Sequence, residues 1–246
     1  MFKVVIPARY ASTRLQGKPL LDIAGKPMVV RVAEQAAKSG ASEIVIATDF
    51  EKIMQVAREH NIKAVMTNIN HSSGTDRIAE VAQQLNWADD EIVVNVQGDE
   101  PLIDPKLIKE VAAYLDSSKE AVMATACHAI HDEAALLNPN IVKVVMDANG
   151  NALYFSRSPI PYPQDEIYKA NIQAYRHIGI YAYRVGFLKK YAQLAVTELE
   201  KIESLEQLRV LHHGYKIGVT VTANAPASGV DTQADLDYVR GVFKDK

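Results

Sequence analysis

Phe2-Lys3-Val4-Val5-Ile6-Pro7-Ala8-Arg9-Tyr10-Ala11-Ser12-Thr13-Arg14-Leu15-Gln16-Gly17-Lys18-Pro19 is the stretch on which the reading of the chain turns. Residues 2–6 are the apolar, β-branched run of a buried strand, and Pro7 stops it. The loop that follows holds Arg9, Arg14 and Lys18, two hydroxyls and a glycine, with no acidic residue. In open α/β sheets ligands bind beyond the carboxyl ends of the strands. A cationic loop at that place suits a polyphosphate, whose oxygens need several donors at once. The alternative is a solvated basic loop that happens to follow a strand. No glycine-rich run precedes Lys18, so the loop is not a Walker P-loop.

Outward from this loop, strands and helices alternate. A helix opens at Pro27 and runs to about Lys38, and Glu43–Thr48 is the second strand, with Asp49 at its end. Helix 50–59, strand Lys63–Met66, helix 76–85 and strand Glu91–Val96 follow, then helix 105–116 and strand 121–127. Such alternation predicts a parallel sheet with right-handed crossovers. Asn149-Gly150 between the apolar runs 141–146 and 152–155 predicts a hairpin. Pro159, Pro161 and Pro163 predict a stiff extended segment, followed by a strand over 172–183. The region 138–184 reads as an excursion from the sheet, a lid or a dimerisation arm. A helix from Val185, one over 203–213, strand Lys216–Val221 and helix 232–243 complete the chain.

Composition bounds what the chain does. At 246 residues it fits one large domain or two small ones, and is long enough to bury about 70–75% of its unfolded surface. A formal net charge of −3 argues against non-specific nucleic-acid binding. A basic loop on a mildly acidic protein points to a small anionic ligand instead. Cys127 is the single cysteine, so no intrachain disulfide forms, and its strand context marks it as a buried structural thiol. No apolar run approaches bilayer-spanning length, and the N-terminus enters a strand directly, so a cytoplasmic protein without membrane contact is expected. No GxGxxG follows a strand, which disfavours a dinucleotide-dependent oxidoreductase.

Two further motifs carry chemistry. Ser73-Gly74-Thr75-Asp76-Arg77 opens a helix with small and polar residues, leaving N–H groups to meet an anion or a base edge; ordinary capping by Thr75 is the alternative. Gln97-Gly98-Asp99-Glu100-Pro101 ends a central strand with adjacent carboxylates, which repel unless a cation sits between or beside them. Asp231 follows the last strand, either as a second metal carboxylate or as a helix N-cap. With the strands before Asp99 and Asp231 as parallel neighbours, both side chains would project from one edge.

These segments, together with Phe155-Ser156-Arg157-Ser158-Pro159-Ile160-Pro161, His177-Ile178-Gly179-Ile180-Tyr181 and Gly229-Val230-Asp231, resemble the 3-deoxy-manno-octulosonate cytidylyltransferase family, over essentially the whole chain. The resemblance implies a single α/β nucleotidyltransferase domain over 1–246, Rossmann-like and glycosyltransferase-A-like, with a mixed, mostly parallel sheet flanked by helices. It implies a Mg²⁺-dependent reaction of CTP with Kdo to give CMP-Kdo and pyrophosphate, and a homodimer. By the same resemblance, Arg14, Lys18, Asp99 and Asp231 are catalytic, and the two aspartates hold Mg²⁺. Pro7, Ala8, Arg9, Ser12, Arg14, Lys18, Ser73, Gly74, Thr75, Arg77 and Gln97 meet the nucleotide. Gln97, Arg157, His177, Tyr181, Glu206 and Gln207 meet the sugar. Without the resemblance His177 reads as a structural histidine of a strand. Another acidic sugar as acceptor, as in CMP-acylneuraminate synthetases, and a CTP-binding protein without catalysis are the competing readings.

Overall fold

The computed structural model describes residues 1–11, 15–71, 73–165, 167, 171, 173–223, 225–227 and 229–244. Ser12 and Arg14 fall outside the described residues. β1 (Phe2–Ala8) lies between β4 (Glu43–Thr48) and β6 (Ile92–Asn95), parallel to both. β5 (Lys63–Met66) extends that edge in parallel. On the other side the order continues through β10 (Ala174–Arg184) and β7 (Ala121–Ile130) to β11 (Lys216–Val221). β10 is antiparallel to both β6 and β7 and divides the parallel set. β8 (Lys143–Met146) and β9 (Ala152–Ser156) form the expected hairpin, and β8 pairs with the first half of β10. A short β2 (Asp22–Ile23) and β3 (Lys26–Pro27) stand apart as a ribbon.

Alternation along the strands builds two apolar layers, because successive side chains point to opposite faces. Val4, Ile6 and Ala8 face one layer with α1 (Met28–Ala37), α2 (Glu51–Glu59) and α4 (Pro105–Ser117). Val5, Val45 and Ala47 face the other, with α3 (Gly74–Gln84) and α6 (Val185–Tyr191). Ile6 and Val5 are both fully buried, so β1 is the centre of the molecule rather than an edge. A smaller cluster of Ile23, Met28, Val230, Leu236 and Val239 ties α9 (Gln233–Lys244) to the β2–β3 ribbon.

Several expectations are corrected. β6 and β11 are not neighbours: β10 and β7 lie between them. Asp231 reaches Asp99 because residues 229–231 lie along the Asp99 turn, where Val230 N–H donates to the Asp99 carbonyl at 2.8 Å. The helix expected over 203–213 is two helices, α7 (Glu198–Glu203) and α8 (Gln207–His212), broken at Ser204, whose φ of 52° is left-handed. The strand expected over 172–183 is β10, Ala174–Arg184, and Ile172 lies outside the described residues. The proline segment does not run straight: the chain bends at Ile160 and Pro161, and their peptide bond is cis. α3 is capped by Ser73, whose Oγ accepts the Asp76 N–H at 3.1 Å, and not by Thr75. One more helix, α5 (Glu133–Leu137), joins β7 to β8. Among the described residues no helix is long and apolar enough to cross a membrane.

Candidate active site

The cationic loop is brought back onto the sheet by Gly17, which takes φ 64° and starts a short 3-10 turn over Lys18–Leu20. Tyr10 supports it by stacking on Phe50, with ring centroids 4.0 Å apart. The turn aims the largely buried Lys18 at the two acidic segments. Its ammonium donates to Asp99 Oδ2 at 2.6 Å and to Asp231 Oδ1 at 3.0 Å. Asp231 does not cap the following helix. Thr232 Oγ1 accepts the Asp235 N–H at 3.2 Å, and Asp235 Oδ2 accepts the Thr232 N–H at 2.7 Å. That reciprocal cap leaves the Asp231 carboxylate directed at Lys18.

Gly98 makes the approach of the Gln97–Pro101 turn to β1 possible: a Cβ there would stand 2.6 Å from the Pro7 carbonyl oxygen. The result is a cavity of about 410 Å³ at the carboxyl ends of β1 and β6. Pro7, Ala8, Arg9 and Lys18 line it on one side, Ser73, Gly74 and Arg77 on another, and Gln97, Asp99 and Asp231 on the third. Arg77 is buried, with its guanidinium on Asp49 Oδ2 at 2.8 Å and on the Thr67 hydroxyl. That buried pair fixes the start of α3 against β4 and β5, so the Ser73-Gly74 N–H groups keep their place beside the cavity.

A second cavity, about 330 Å³, adjoins the first and shares Gly74 and Gln97 with it. Thr75, Tyr181, Glu206 and Gln207 line it, joined by Asn95, Tyr183 and Tyr191. Burial, and then the nearby Glu200 carboxylate, raise the pKa of Glu206. Burial raises the Tyr181 and Tyr183 phenols well above the usual tyrosine range. The second cavity is therefore lined mainly by hydroxyls and amides with the one carboxyl of Glu206, whereas the first gathers Arg9, Lys18, Asp99 and Asp231.

His177 and Arg157 stand elsewhere. His177 borders a third hollow with Glu100, Arg176 and Asp231. Burial, with Asp99 adding to it, pushes the Glu100 carboxyl up to about 7. Thr125 Oγ1 lies 2.9 Å from His177 Nε2, 3.0 Å from the Ile178 carbonyl and 2.7 Å from the Ile180 carbonyl. A hydroxyl has one proton, and giving it to a carbonyl leaves Oγ1 to accept from Nε2–H. His177 is thus neutral and protonated on Nε2, and burial pushes its pKa down to about 3. An unfolded histidine titrates near 6.5, so the unfolded state binds the extra proton between pH 6.5 and 3 and stability falls as pH drops through that window. At pH 5 the effect amounts to about 2 kcal/mol. His177→Asn should flatten this part of a pH series of urea-unfolding curves; an unchanged slope would show that other groups set it.

Arg157 donates from Nε to the Glu203 carbonyl at 2.7 Å and from Nη1 to the Pro139 carbonyl at 3.1 Å. It is absent from the walls of the three hollows described. Here it holds the turn before Glu206 and Gln207 from behind. Lys143, fully buried, supports it by donating to the carbonyls of Asn138, Ile141 and Arg157.

The cytidylyltransferase family model matches residues 3–217. Two relatives from strains of Neisseria gonorrhoeae, both 3-deoxy-manno-octulosonate cytidylyltransferases, are 58% identical over 99% of this chain and 98% of their own. The chain belongs to the 3-deoxy-manno-octulosonate cytidylyltransferase family. A solved structure of CMP:2-keto-3-deoxy-manno-octonic acid synthetase complexed with CTP superimposes with a TM-score of 0.92 at 43% identity, covering 100% of this chain and 99% of that one. A cytidylyltransferase from Leptospira borgpetersenii shares the fold at 16% identity, with a TM-score of 0.64 over 100% of this chain and 87% of that one. The chain has the mixed, mostly parallel sheet flanked by helices that the family resemblance implies, where alternation alone predicts a parallel one.

Asn95, Tyr183 and Tyr191 are cavity residues that the sequence reading passes over. Asn95 carried a signal: a polar residue inside the run Ile92-Val93-Val94-Asn95-Val96, two positions before Gln97 and so on the same face. Tyr183 stands two positions after Tyr181 for the same reason. Cys127 is fully buried, as expected, and its thiol is pushed up to about 12.

Proposed function

We propose that this chain transfers the cytidylyl group of CTP to the anomeric hydroxyl of Kdo, releasing pyrophosphate and forming CMP-Kdo for lipopolysaccharide biosynthesis. The observation that carries this reading is the pair of adjoining cavities, one rich in charged side chains and one lined mainly by hydroxyls and amides, that meet at Gly74 and Gln97. The first suits a nucleoside triphosphate. Lys18 and Arg9 supply cations for its phosphates, and the N–H groups at the start of α3 supply neutral donors. Arg14 and Ser12, outside the described residues, belong to the same loop and the same assignment. The second suits a polyol acid, through Gln97, Tyr181, Glu206 and Gln207. Arg157 and His177 act on that side by holding the walls, or close on the sugar once it is bound.

Transfer at phosphorus needs in-line positioning and charge neutralisation more than covalent help from the protein. Lys18 meets the charge that grows on the departing pyrophosphate. Asp99 and Asp231 fit a Mg²⁺ site: they are hard oxygen donors already gathered around one cation, the Lys18 ammonium. Among the described residues no third acidic, histidine or cysteine side chain joins them, so the remaining ligands would be phosphate oxygens and water. When bound, the ion would neutralise charge at the α-phosphate and acidify the attacking hydroxyl.

Two copies of the chain are part of this reading. The region 138–184, whose strands belong to the main sheet rather than leaving it, exposes Leu153 and Tyr162, with Leu137 exposed just before it, and these apolar side chains suit contact with a partner. A cytoplasmic place of action follows from the use of CTP. Base selectivity tests the nucleotide half. CTP should exceed UTP in kcat/KM by about tenfold or more, since a mismatched buried polar group costs about 1–3 kcal/mol. Equal values for the two nucleotides would remove cytosine recognition from the reading.

A further inference from the structure

Two buried polar atoms, on residues that line the second cavity, lack a partner among the described residues: Asn95 Oδ1 and Gln207 Nε2. Both residues are almost wholly buried, at 3% and 4% exposure. Buried polar groups are nearly always hydrogen-bonded, and an unmade bond costs on the order of 1–3 kcal/mol. One orphan is an acceptor and the other a donor, and both residues line the same space. A carboxylate or keto oxygen satisfies the donor and leaves the acceptor bare. A hydroxyl serves both kinds of atom, since it donates one proton and accepts on its oxygen.

The surroundings hold Asn95 in that orientation. It ends β6, where it pairs across the sheet with Tyr181. Its side chain stands beside the Tyr183 phenol and offsets part of the rise that burial imposes on it, and a Cβ placed on Gly74 would find Asn95 Nδ2 as a neighbour at 3.8 Å. Nδ2 thus faces α3, and Oδ1 is turned away from it. Tyr183 Oη lies 3.4 Å from Thr75 Oγ1, in the first turn of α3. The chain Thr75–Tyr183–Asn95 runs from the nucleotide side of the site to the sugar side.

We infer that Asn95 is a specificity residue of the acceptor pocket, reading one hydroxyl of the sugar acid through Oδ1, with Gln207 donating on the same ligand and Tyr183 orienting the Asn95 amide. The inference rests on the assignment of the second cavity to the sugar. It requires a polyhydroxylated acceptor, and it explains why a polar residue occupies an otherwise apolar central strand.

The test pairs a residue deletion with a hydroxyl deletion. Asn95→Leu keeps the number and branching of the side-chain heavy atoms and removes both the acceptor and the amide donor. Its KM for Kdo should rise about tenfold or more, with the Kd for CTP by calorimetry within about twofold of the parent. Against a set of Kdo analogues each lacking one hydroxyl, the parent should lose about tenfold in kcat/KM for one of them, and Asn95→Leu should lose nothing further for that analogue alone. Tyr183→Phe, which leaves the volume nearly unchanged, should show a smaller rise in KM for Kdo and keep the selectivity for the same hydroxyl. An equal penalty for every analogue, or a loss of CTP affinity matching the loss of Kdo affinity, would make Asn95 a structural residue and overturn the inference. If Asn95→Leu is too unstable to assay, Tyr183→Phe with an unchanged KM for Kdo overturns it too. Failure of the parent to turn over or bind Kdo at all would defeat the assignment of the cavity itself, and Asn95 with it.

Discussion

Asp231→Asn and Asp99→Asn are each expected to lower kcat by about a hundredfold or more while the protein stays folded. Each change removes one negative oxygen from the pair that surrounds the Lys18 ammonium. Removing a group that stabilises transition-state charge costs about 10²–10³ in rate in well-studied sites. Asp231 is not needed to start α9, because Thr232 and Asp235 form the cap, so folding should be little affected. Thermal unfolding separates the two roles. A normal kcat and an unchanged Mg²⁺ requirement for Asp231→Asn, alongside a large fall in Tm, would return this residue to a structural function.

Lys18→Ala has the second large effect. Lysine that meets charge growing on the leaving group is felt in kcat more than in KM, because the interaction is stronger in the transition state than in the ground state. A drop of about a hundredfold in kcat is expected, with a smaller change in the KM for CTP. The substitution also leaves Asp99 and Asp231 facing each other without their cation, so Mn²⁺ binding in the absence of nucleotide should tighten as turnover falls. Lys26→Ala is the control: Lys26 pairs with Glu34 on α1, and its loss should change neither constant appreciably. An effect of Lys18→Ala confined to the KM for CTP, with metal binding unchanged, would reduce Lys18 to a ground-state phosphate ligand.

The fold was legible where periodicity is strong. The apolar run 2–6, the Asn149-Gly150 turn and the alternation of strands with helices each lead to the element that the structure contains. Less legible was what long-range pairing decides. No local pattern announces that β10 enters the sheet antiparallel between β6 and β7, because strand order is set by packing rather than by propensity. Ser204 breaks the helix expected over 203–213 with a left-handed residue that is not glycine, and that break aims Glu206 and Gln207 into the second cavity. The meeting of Lys18 with Asp99 and Asp231 was readable only as three separate motifs, 81 and 213 residues apart in sequence from the lysine. Arg157 shows the reverse case. Its motif points to the sugar, while its guanidinium is spent on the carbonyls of Glu203 and Pro139. Asn95 was hidden by its own strand, since one polar residue among buried valines reads as a packing detail until its oxygen proves to have no partner.

Phosphorus NMR of the protein with CTP, Kdo and Mg²⁺ tests the central claim most directly. Attack by the sugar hydroxyl at the α-phosphorus replaces the three CTP resonances by one phosphodiester resonance and one pyrophosphate resonance of twice its intensity, for equimolar products, and only when Kdo is present. N-acetylneuraminate in place of Kdo should give neither. CMP with pyrophosphate but no phosphodiester, CDP with free phosphate, or equal turnover of the two sugar acids would contradict the account.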